Sequence, residues 1–310
     1  MKRTYNTLLL ATIASAALIC SSCGNRNDLG NNNTPADELT QAPDDELLSD
    51  ATTESDNTNA AVDENKPAEE ITADDGQGDG VSIEIESFED RETAEDGTLI
   101  YERSYDVPTV TIAGNEAASE KINADLQSRI DAFTASDQMK NDAIEFYEVA
   151  AKEDFTFMEY VDSLGFSASR ADTNVISFIT STYSFTGGAH GLELVFGINY
   201  DARTGELIDF ADLSDDPDKF YNDTLTYNKE LAQTDEYKER MFEADFLEED
   251  ALENTLYADE KWYLSNEGLV FISNPYELGP YAAGMIEFVI PYGELSEMGL
   301  KEEYSYPTSP

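Results

Sequence analysis

The feature that most limits how this chain can fold is a long acidic segment near its amino terminus. Residues 24–80 contain no aromatic residue, and they carry 16 acidic but only 2 basic residues. Such a polar segment cannot bury enough apolar surface to offset the entropy lost on folding, and its like charges repel one another. We therefore expect residues 23–80 to form a disordered acidic tether, so that any folded region lies in residues 81–310.

Residues 1–22 have the composition of a bacterial lipoprotein signal peptide. Two basic residues precede an apolar run from Leu8 to Ile19, which is shorter than the roughly 20 residues that span a bilayer. Cys23 follows the small residue Ser22, whereas Cys20 follows a bulky isoleucine. We predict lipidation of Cys23, with Cys20 as the alternative, and hence a lipid anchor at the extracytoplasmic face of a bacterial membrane. An ordinary secretory leader or an uncleaved anchor is the other reading.

The folded region is strongly acidic. It carries 50 of the chain's 66 acidic residues and 14 of its 18 basic residues, so its formal net charge is near −36. Such a field repels nucleic acid and anionic lipid and attracts cationic proteins, although acidity also serves plain solubility. Both cysteines lie in the leader, so we expect a mature domain that is held together by its core without disulfides.

The periodicity of residues 81–310 indicates an α+β fold. Ala118, Ile122, Leu126, Ile130 and Phe133 recur at helical spacing and predict a helix with one apolar face. We predict a second helix over residues 139–160 and mostly helical structure over 221–257. Strands are predicted over 81–88, 98–112, 163–185 with a turn at 171–174, 192–200, and in two or three pieces within 262–295. We expect antiparallel sheets with helices packed on one face, in two consecutive subdomains, 81–198 and 199–310.

The only histidine of the chain lies in the glycine-rich segment YSFTGGAHGLEL, Tyr183–Leu194. Gly187 and Gly188 permit positive φ, and His190 can lock a turn between two strands by a hydrogen bond to the backbone. The alternative is a ligand contact, because loops held on a rigid sheet often form binding sites. The candidate ligand-binding residues are Gly187, Gly188, His190, Tyr276 and Tyr281.

The sequence predicts no catalytic residue, metal or cofactor. One histidine and no cysteine in the mature chain argue against the usual serine, cysteine and zinc hydrolases. A glycan hydrolase needs only two carboxylates and stays an alternative, although no spacing selects a pair. Residues 75–86 place Asp75, Asp79 and Glu86 at calcium-loop positions, but flanking helices are not predicted. We expect an acidic linker that runs into an edge strand.

Four stretches together resemble the extracellular region of RsiV-like anti-sigma factors, which are lysozyme receptors. They are INADLQSRI, YSFTGGAHG, NYDARTGELIDFADL and NEGLVFISNPYELGPYAAGMIEFVIPYGEL. The same pair of subdomains is similar to the accessory region of PdaC-like peptidoglycan deacetylases and to lipoproteins of the domain-of-unknown-function family 3298.

This resemblance implies a non-enzymatic envelope protein that binds lysozyme, another cationic wall-active protein, or a peptidoglycan glycan. An acidic surface suits a cationic partner. A sigma-binding region and a deacetylase domain are not recognisable in the sequence. We therefore expect neither transcriptional signalling nor deacetylase activity, and no nucleic-acid partner.

Overall fold

The computed structural model describes residues 80–153, 155–243, 248 and 250–306. The predicted signal peptide, Cys23 and most of the tether lie outside these residues, as do Asp75 and Asp79 of the calcium-like motif. Within the described part of the chain, no helix combines the length and apolar composition needed to cross a bilayer.

The described residues form an α+β fold, as predicted, with two sheets and several helices. The strands are β1 Val81–Thr93, β2 Leu99–Ile112, β3 Tyr160–Ala171, β4 Val175–Phe185, β5 Leu192–Asp201, β6 Trp262–Leu264, β7 Gly268–Ser273 and β8 Ile286–Pro291. The α-helices are α1 Glu116–Thr134, α2 Gln138–Glu153, α3 Pro217–Leu231, α4 Asp235–Lys238, α5 Ala251–Leu256 and α6 Tyr292–Met298.

The first sheet has the order β1-β2-β3-β4-β5, with β1 at one edge as expected. Neighbouring strands are antiparallel except β2 and β3, which pair in parallel from Tyr101↔Tyr160 to Tyr105↔Leu164. The predicted antiparallel pairing is therefore found in every neighbouring pair of this sheet except one. The parallel pair arises because α1 and α2 lie between β2 and β3, and a crossover of this length returns the chain in the same direction.

Helix α1 covers one face of the first sheet. Its buried residues are Ala118, Ile122, Leu126 and Ile130, which confirms the predicted apolar stripe. They pack with alternate residues of the strands, such as Phe178 and Tyr200. Successive strand residues point to opposite faces, so the residues between these face the other side of the sheet.

The second sheet, of order β6-β7-β8, packs against that other side. Val195 of the first sheet clusters with Tyr263, Val270 and Ile272 of the second. The opposite face of the second sheet is covered by a larger core, to which α3, α5 and α6 contribute Phe220, Leu256 and Leu295. The layers are therefore α1, the first sheet, the second sheet and the carboxy-terminal helices.

The contact between the sheets depends on small and polar residues of β5. A side chain at Gly197 would collide with the backbone of Trp262, so only glycine permits this approach. Asn199 Nδ2 donates to the carbonyl oxygen of Trp262 (3.1 Å), and the amide of Leu264 donates to Asn199 Oδ1 (2.8 Å). The boundary predicted between residues 198 and 199 falls inside β5, and all described residues belong to one compact unit.

The second helix is shorter than predicted. It ends at Glu153, whereas Tyr160 already begins β3 and pairs with Tyr101. The aromatic residues that extended the helical pattern pack on the helix from outside it: the Phe155 and Phe157 rings lie 5.5 Å and 6.0 Å from the ring of Phe146. Tertiary packing therefore reproduces the apolar spacing of a longer helix.

Candidate functional site

The glycine-rich segment forms the loop between β4 and β5. The hairpin closes at Ser184↔Leu192, and the φ angles of Gly187 and Gly188 are +86° and +101°, which confirms the predicted backbone role. Apart from the chain neighbours, no atom of the described residues comes within 4 Å of the position that a Cβ would take at either glycine, so glycine is required here for its backbone conformation rather than for lack of space. Nδ1–H of His190 donates to the carbonyl oxygen of Gly191 (2.9 Å), a bond to the backbone as expected.

A second loop, between β7 and β8, lies beside this hairpin. Its Tyr276 adopts a positive φ of +72°, which is uncommon for a residue other than glycine, and its amide donates to the carbonyl oxygen of Gly279 (2.9 Å). Tyr281 begins a short 3-10 turn, Tyr281–Ala283. The side chains of Tyr276 and Tyr281 are 56% and 36% exposed. Unusual backbone that surrounding structure holds in place occurs often at functional sites.

The two loops meet in a stack of rings. The His190 and Tyr281 rings are 3.8 Å apart between centroids and inclined by 17°, and the Tyr276 ring lies 5.7 Å from that of Tyr281. We call these three residues the aromatic platform. The structure thus brings together three of the five candidate residues, and Gly187 and Gly188 lie in the loop that carries His190. Ligand contact by these residues stays a prediction.

A buried amide fixes the second loop to the first sheet. The amide of Val195 donates to Asn274 Oδ1 (2.8 Å), and Asn274 Nδ2 donates to the carbonyl oxygen of Val195 (3.1 Å). Asn274 is 1% exposed, so loss of these bonds would leave polar groups buried without partners. The side chain therefore holds the loop that carries Tyr276 and Tyr281 against β5.

An ion pair and an arginine hold the same loop from its other sides. Glu277 accepts hydrogen bonds from the amide of Asn274 (2.6 Å) and from Nζ of the buried Lys261 (2.5 Å). Arg240 Nη2 donates to the carbonyl oxygen of Met285 (2.6 Å). Sequence reasoning missed these supporting residues. Asn274 followed by Glu277 three positions later has the spacing of a capping box, and that signal could have identified the loop.

Lys261 and Glu277 also line an open cavity of about 360 Å³, together with Glu248 and Asn254. Two carboxylates therefore face one depression beside the loop. Across the described ranges, His, Cys, Asp and Glu side chains form no group of three or more with the arrangement of a metal site.

A different aromatic site lies in the interior around Arg170, whose side chain is fully buried. Its Nε donates to Asp172 (2.6 Å), and its Nη1 donates to the hydroxyl of Tyr292 (2.7 Å) and to the carbonyl oxygen of Tyr304 (2.7 Å). Its guanidinium also lies over the rings of Tyr292 and Tyr306, at 5.5 Å and 5.4 Å. We call these five residues the Arg170 cluster. Burial raises the pKa of Tyr292 to about 12, although the Arg170 charge opposes that rise.

Two family profiles match separate parts of the chain. Residues 95–193, from the β1–β2 turn through His190, match the family described as Deacetylase PdaC. Residues 211–293 match the family described as Protein of unknown function (DUF3298), and this region contains Tyr276 and Tyr281. The platform is therefore assembled from both matched regions. No curated protein matches the chain.

Two crystal structures of DUF3298 family proteins share the fold. The protein from Bacteroides fragilis is 19% identical, with a TM-score of 0.51, and the match covers 73% of this chain and 96% of that one. The protein from Pseudomonas aeruginosa is 18% identical, also with a TM-score of 0.51, and the match covers 74% of this chain and 99% of that one. At such identities the similarity establishes the fold alone.

Proposed function

We propose that this chain is a lipid-anchored binding protein of the bacterial envelope, without enzymatic activity, and that the aromatic platform contacts its ligand. The observation that carries the proposal is the stack of His190 on Tyr281, with Tyr276 beside it, on loops fixed by Asn274. Tyrosine is enriched among residues that dominate binding energies. Because the loops are held in place, little conformational entropy is lost when a ligand covers the rings.

The first candidate ligand is a cationic wall-active protein such as lysozyme. Tyrosine faces attract arginine and lysine side chains, and the surplus of acidic residues in the folded region attracts a basic protein over a longer range. The resemblance to the RsiV-like lysozyme receptors supports the same ligand. The proposed contact is therefore a central aromatic anchor within a negative field.

The second candidate ligand is a peptidoglycan glycan. Exposed stacked rings offer a flat apolar surface with polar edges, which suits a sugar ring as well as a protein side chain. The match of residues 95–193 to the PdaC profile supports a ligand from the cell wall. No deacetylase activity is proposed for this chain.

Titration calorimetry and sedimentation of the full-length chain distinguish the two candidate ligands. A protein ligand predicts binding of lysozyme that weakens between low and physiological salt but persists, because screening removes long-range attraction while the aromatic contacts remain. Complete loss of affinity at physiological salt would reduce the interaction to nonspecific charge attraction. A glycan ligand predicts sedimentation of the chain with insoluble peptidoglycan, at an affinity insensitive to salt.

The enzymatic alternative is a carboxylate-based glycan hydrolase, for which Glu248 and Glu277 are the pair that share a cavity. Labelled peptidoglycan distinguishes it from a binding protein. We expect the chain to release no soluble fragments. Steady release that disappears in Glu248→Gln would replace the binding proposal with a hydrolase.

The lipid anchor is tested by fractionation of cells that express the chain. We expect wild type and Cys20→Ser in the membrane fraction, with Cys23→Ser released from it, because only Cys23 follows a small residue. Release caused by Cys20→Ser instead would move the modification to Cys20. Release of neither variant would contradict the anchor.

A further inference from the structure

A second exposed apolar surface lies on α2, in the region of the first sheet. Phe146, Val149 and Phe155 are 38%, 41% and 43% exposed. Phe146 and Val149 are three residues apart on the helix and share a face, and the Phe155 ring lies 5.5 Å from the ring of Phe146. We call these three residues the α2 apolar patch.

The α2 apolar patch lies on a group of packed aromatic residues. The rings of Phe157 and Tyr160 lie 6.0 Å from that of Phe146, and the ring of Phe157 packs edge-on against Tyr147 at 5.2 Å. Beneath them, Ala143 of the helix packs on Ile100 and Tyr101 of β2. The exposed rings therefore belong to a packed aromatic cluster, so the patch keeps its shape without a partner.

Of the charged residues one turn from Phe146 or Val149, all but Lys152 are acidic. Asp142 lies one turn before Phe146, while Glu145 and Glu153 lie one turn before and after Val149, and all three are exposed. Burial, followed by the Asp142 charge, raises the pKa of Tyr160, whose ring belongs to the cluster beneath the patch. The carboxy-terminal end of α2, at Glu153, adds the negative end of the helix dipole.

The two lysines of α2 do not offset these acids, because each lies in an ion pair. Lys140 contacts Glu92 (2.9 Å), and Lys152 contacts Glu148 (3.5 Å). The patch is therefore apolar at its centre and acidic along its flanks. This combination repels an anionic lipid surface, and it repels a second copy of a chain whose folded region has a net charge near −36.

We propose that the α2 apolar patch is a second docking surface, separate from the aromatic platform, and that it binds a cationic amphipathic helix. The apolar side chains of such a helix, three or four residues apart, pack on Phe146, Val149 and Phe155. Lysine or arginine residues on its flanks face Asp142, Glu145 and Glu153. The proposed function depends on the platform alone. This inference adds a second binding surface to the same protein, with a basic helix as its ligand.

The test is fluorescence anisotropy of a labelled synthetic leucine–lysine peptide with one apolar helical face, titrated with the full-length chain. We expect Val149→Lys to weaken binding about tenfold, which corresponds to about 1.4 kcal/mol, because it removes apolar contact and adds a repelling charge. Lysine favours helix at least as well as valine, so the variant should fold. The conservative variant Val149→Ile keeps the apolar contact, so it should bind the peptide within about twofold of wild type.

Gln127→Lys is the matched control, because it adds the same charge at an exposed position of α1 and should leave peptide binding unchanged. Equal binding of a shuffled peptide of the same composition would show that charge alone drives the interaction and would overturn the proposal. Equal binding by Val149→Lys would overturn it as well. If the wild-type chain forms dimers and Val149→Lys abolishes them, the patch binds a second copy of the chain, and the proposal is wrong.

The platform variant Tyr281→Ala keeps this proposal distinct from the proposed function. It should lose the platform ligand but retain the peptide. Loss of the peptide in Tyr281→Ala would place the helix on the platform, which would contradict the second surface while leaving the proposed function intact.

Discussion

The Arg170 cluster and the aromatic platform each join segments that are distant in sequence, and each does so with aromatic rings. In the Arg170 cluster the rings lie against a buried guanidinium whose donors reach a carboxylate, a hydroxyl and backbone carbonyls. In the platform, Tyr276 and Tyr281 stay partly exposed to solvent, although His190 stacks on one face of Tyr281. The same residue types therefore stabilise the fold where they are enclosed and are available to a ligand where they are not.

Arg170→Ala should give the largest loss of stability. It leaves Asp172 buried without its cation and removes the bonds that hold Tyr304 and Ser305, so we expect a loss of about 3–5 kcal/mol in urea unfolding. Lys121→Ala is the control, because both partners of its ion pair with Glu206 are exposed and the pair should contribute about 0–1 kcal/mol. Equal losses in the two variants would mean that enclosure of Arg170 contributes nothing special.

Asn274→Ala should have an intermediate effect on stability, and it tests how the platform is held in place. It removes both hydrogen bonds to Val195 and leaves the backbone groups of that residue buried, at a cost of about 1–3 kcal/mol. Because Asn274 also fixes the loop that carries the platform, ligand affinity should fall in the same variant. Full affinity in a destabilised Asn274→Ala protein would show that the platform is held by other contacts.

The structure and the sequence agree where the pattern is local. The spacing of Ala118, Ile122, Leu126 and Ile130 depends only on the period of a helix, and the positive φ angles of Gly187 and Gly188 depend only on their own conformational freedom. The sequence places His190 in a glycine-rich loop, and Tyr276 and Tyr281 in a segment that glycine and proline residues interrupt. Their mutual stacking followed only from the packing of two loops.

Features that depend on contacts between distant segments could not be predicted from the sequence. No sequence pattern predicts the hydrogen bonds between Asn274 and Val195 or between Arg170 and Tyr292. Each bond depends on how the two sheets pack. The end of α2 was misplaced for the same reason. Phe155 and Phe157 continue a helical apolar pattern, although they pack on the helix from the segment that follows it.

Alkaline pH should destabilise the fold around Tyr292 of the Arg170 cluster and around Tyr221 of α3, by less than Arg170→Ala does. Burial raises the pKa of Tyr292 to about 12 and that of Tyr221, which donates to Glu253, also to about 12, from an ordinary value of 10.0. A raised tyrosine pKa stabilises the fold fully below pH 10, and this contribution is lost as the pH rises from 10 towards 12. Melting temperature and tyrosinate absorbance, followed together with pH, check this.

In that titration the melting temperature should fall over the same range in which tyrosinate absorbance rises. Tyr292→Phe keeps the ring while removing the ionisable hydroxyl, so its loss of stability with rising pH should be shallower than in wild type. A melting temperature that stays level from pH 10 to 12 would contradict the enclosed environment of these tyrosines.

Tyr281→Ala should have the smallest effect on stability and the largest on binding, and it tests the central claim most directly. Phe88→Ala is the matched control, because Phe88 is also exposed and stacked, on Tyr105 at 5.4 Å, but lies on β1 away from both loops. Both variants should melt close to the temperature of wild type, since exposed substitutions usually change stability by about 0.5 kcal/mol or less.

Each variant is titrated with lysozyme and with solubilised peptidoglycan. The account predicts that Tyr281→Ala loses at least about tenfold in affinity for the probe that wild type binds, with Phe88→Ala unchanged. Undiminished binding by Tyr281→Ala, or binding of neither probe by wild type, would contradict it.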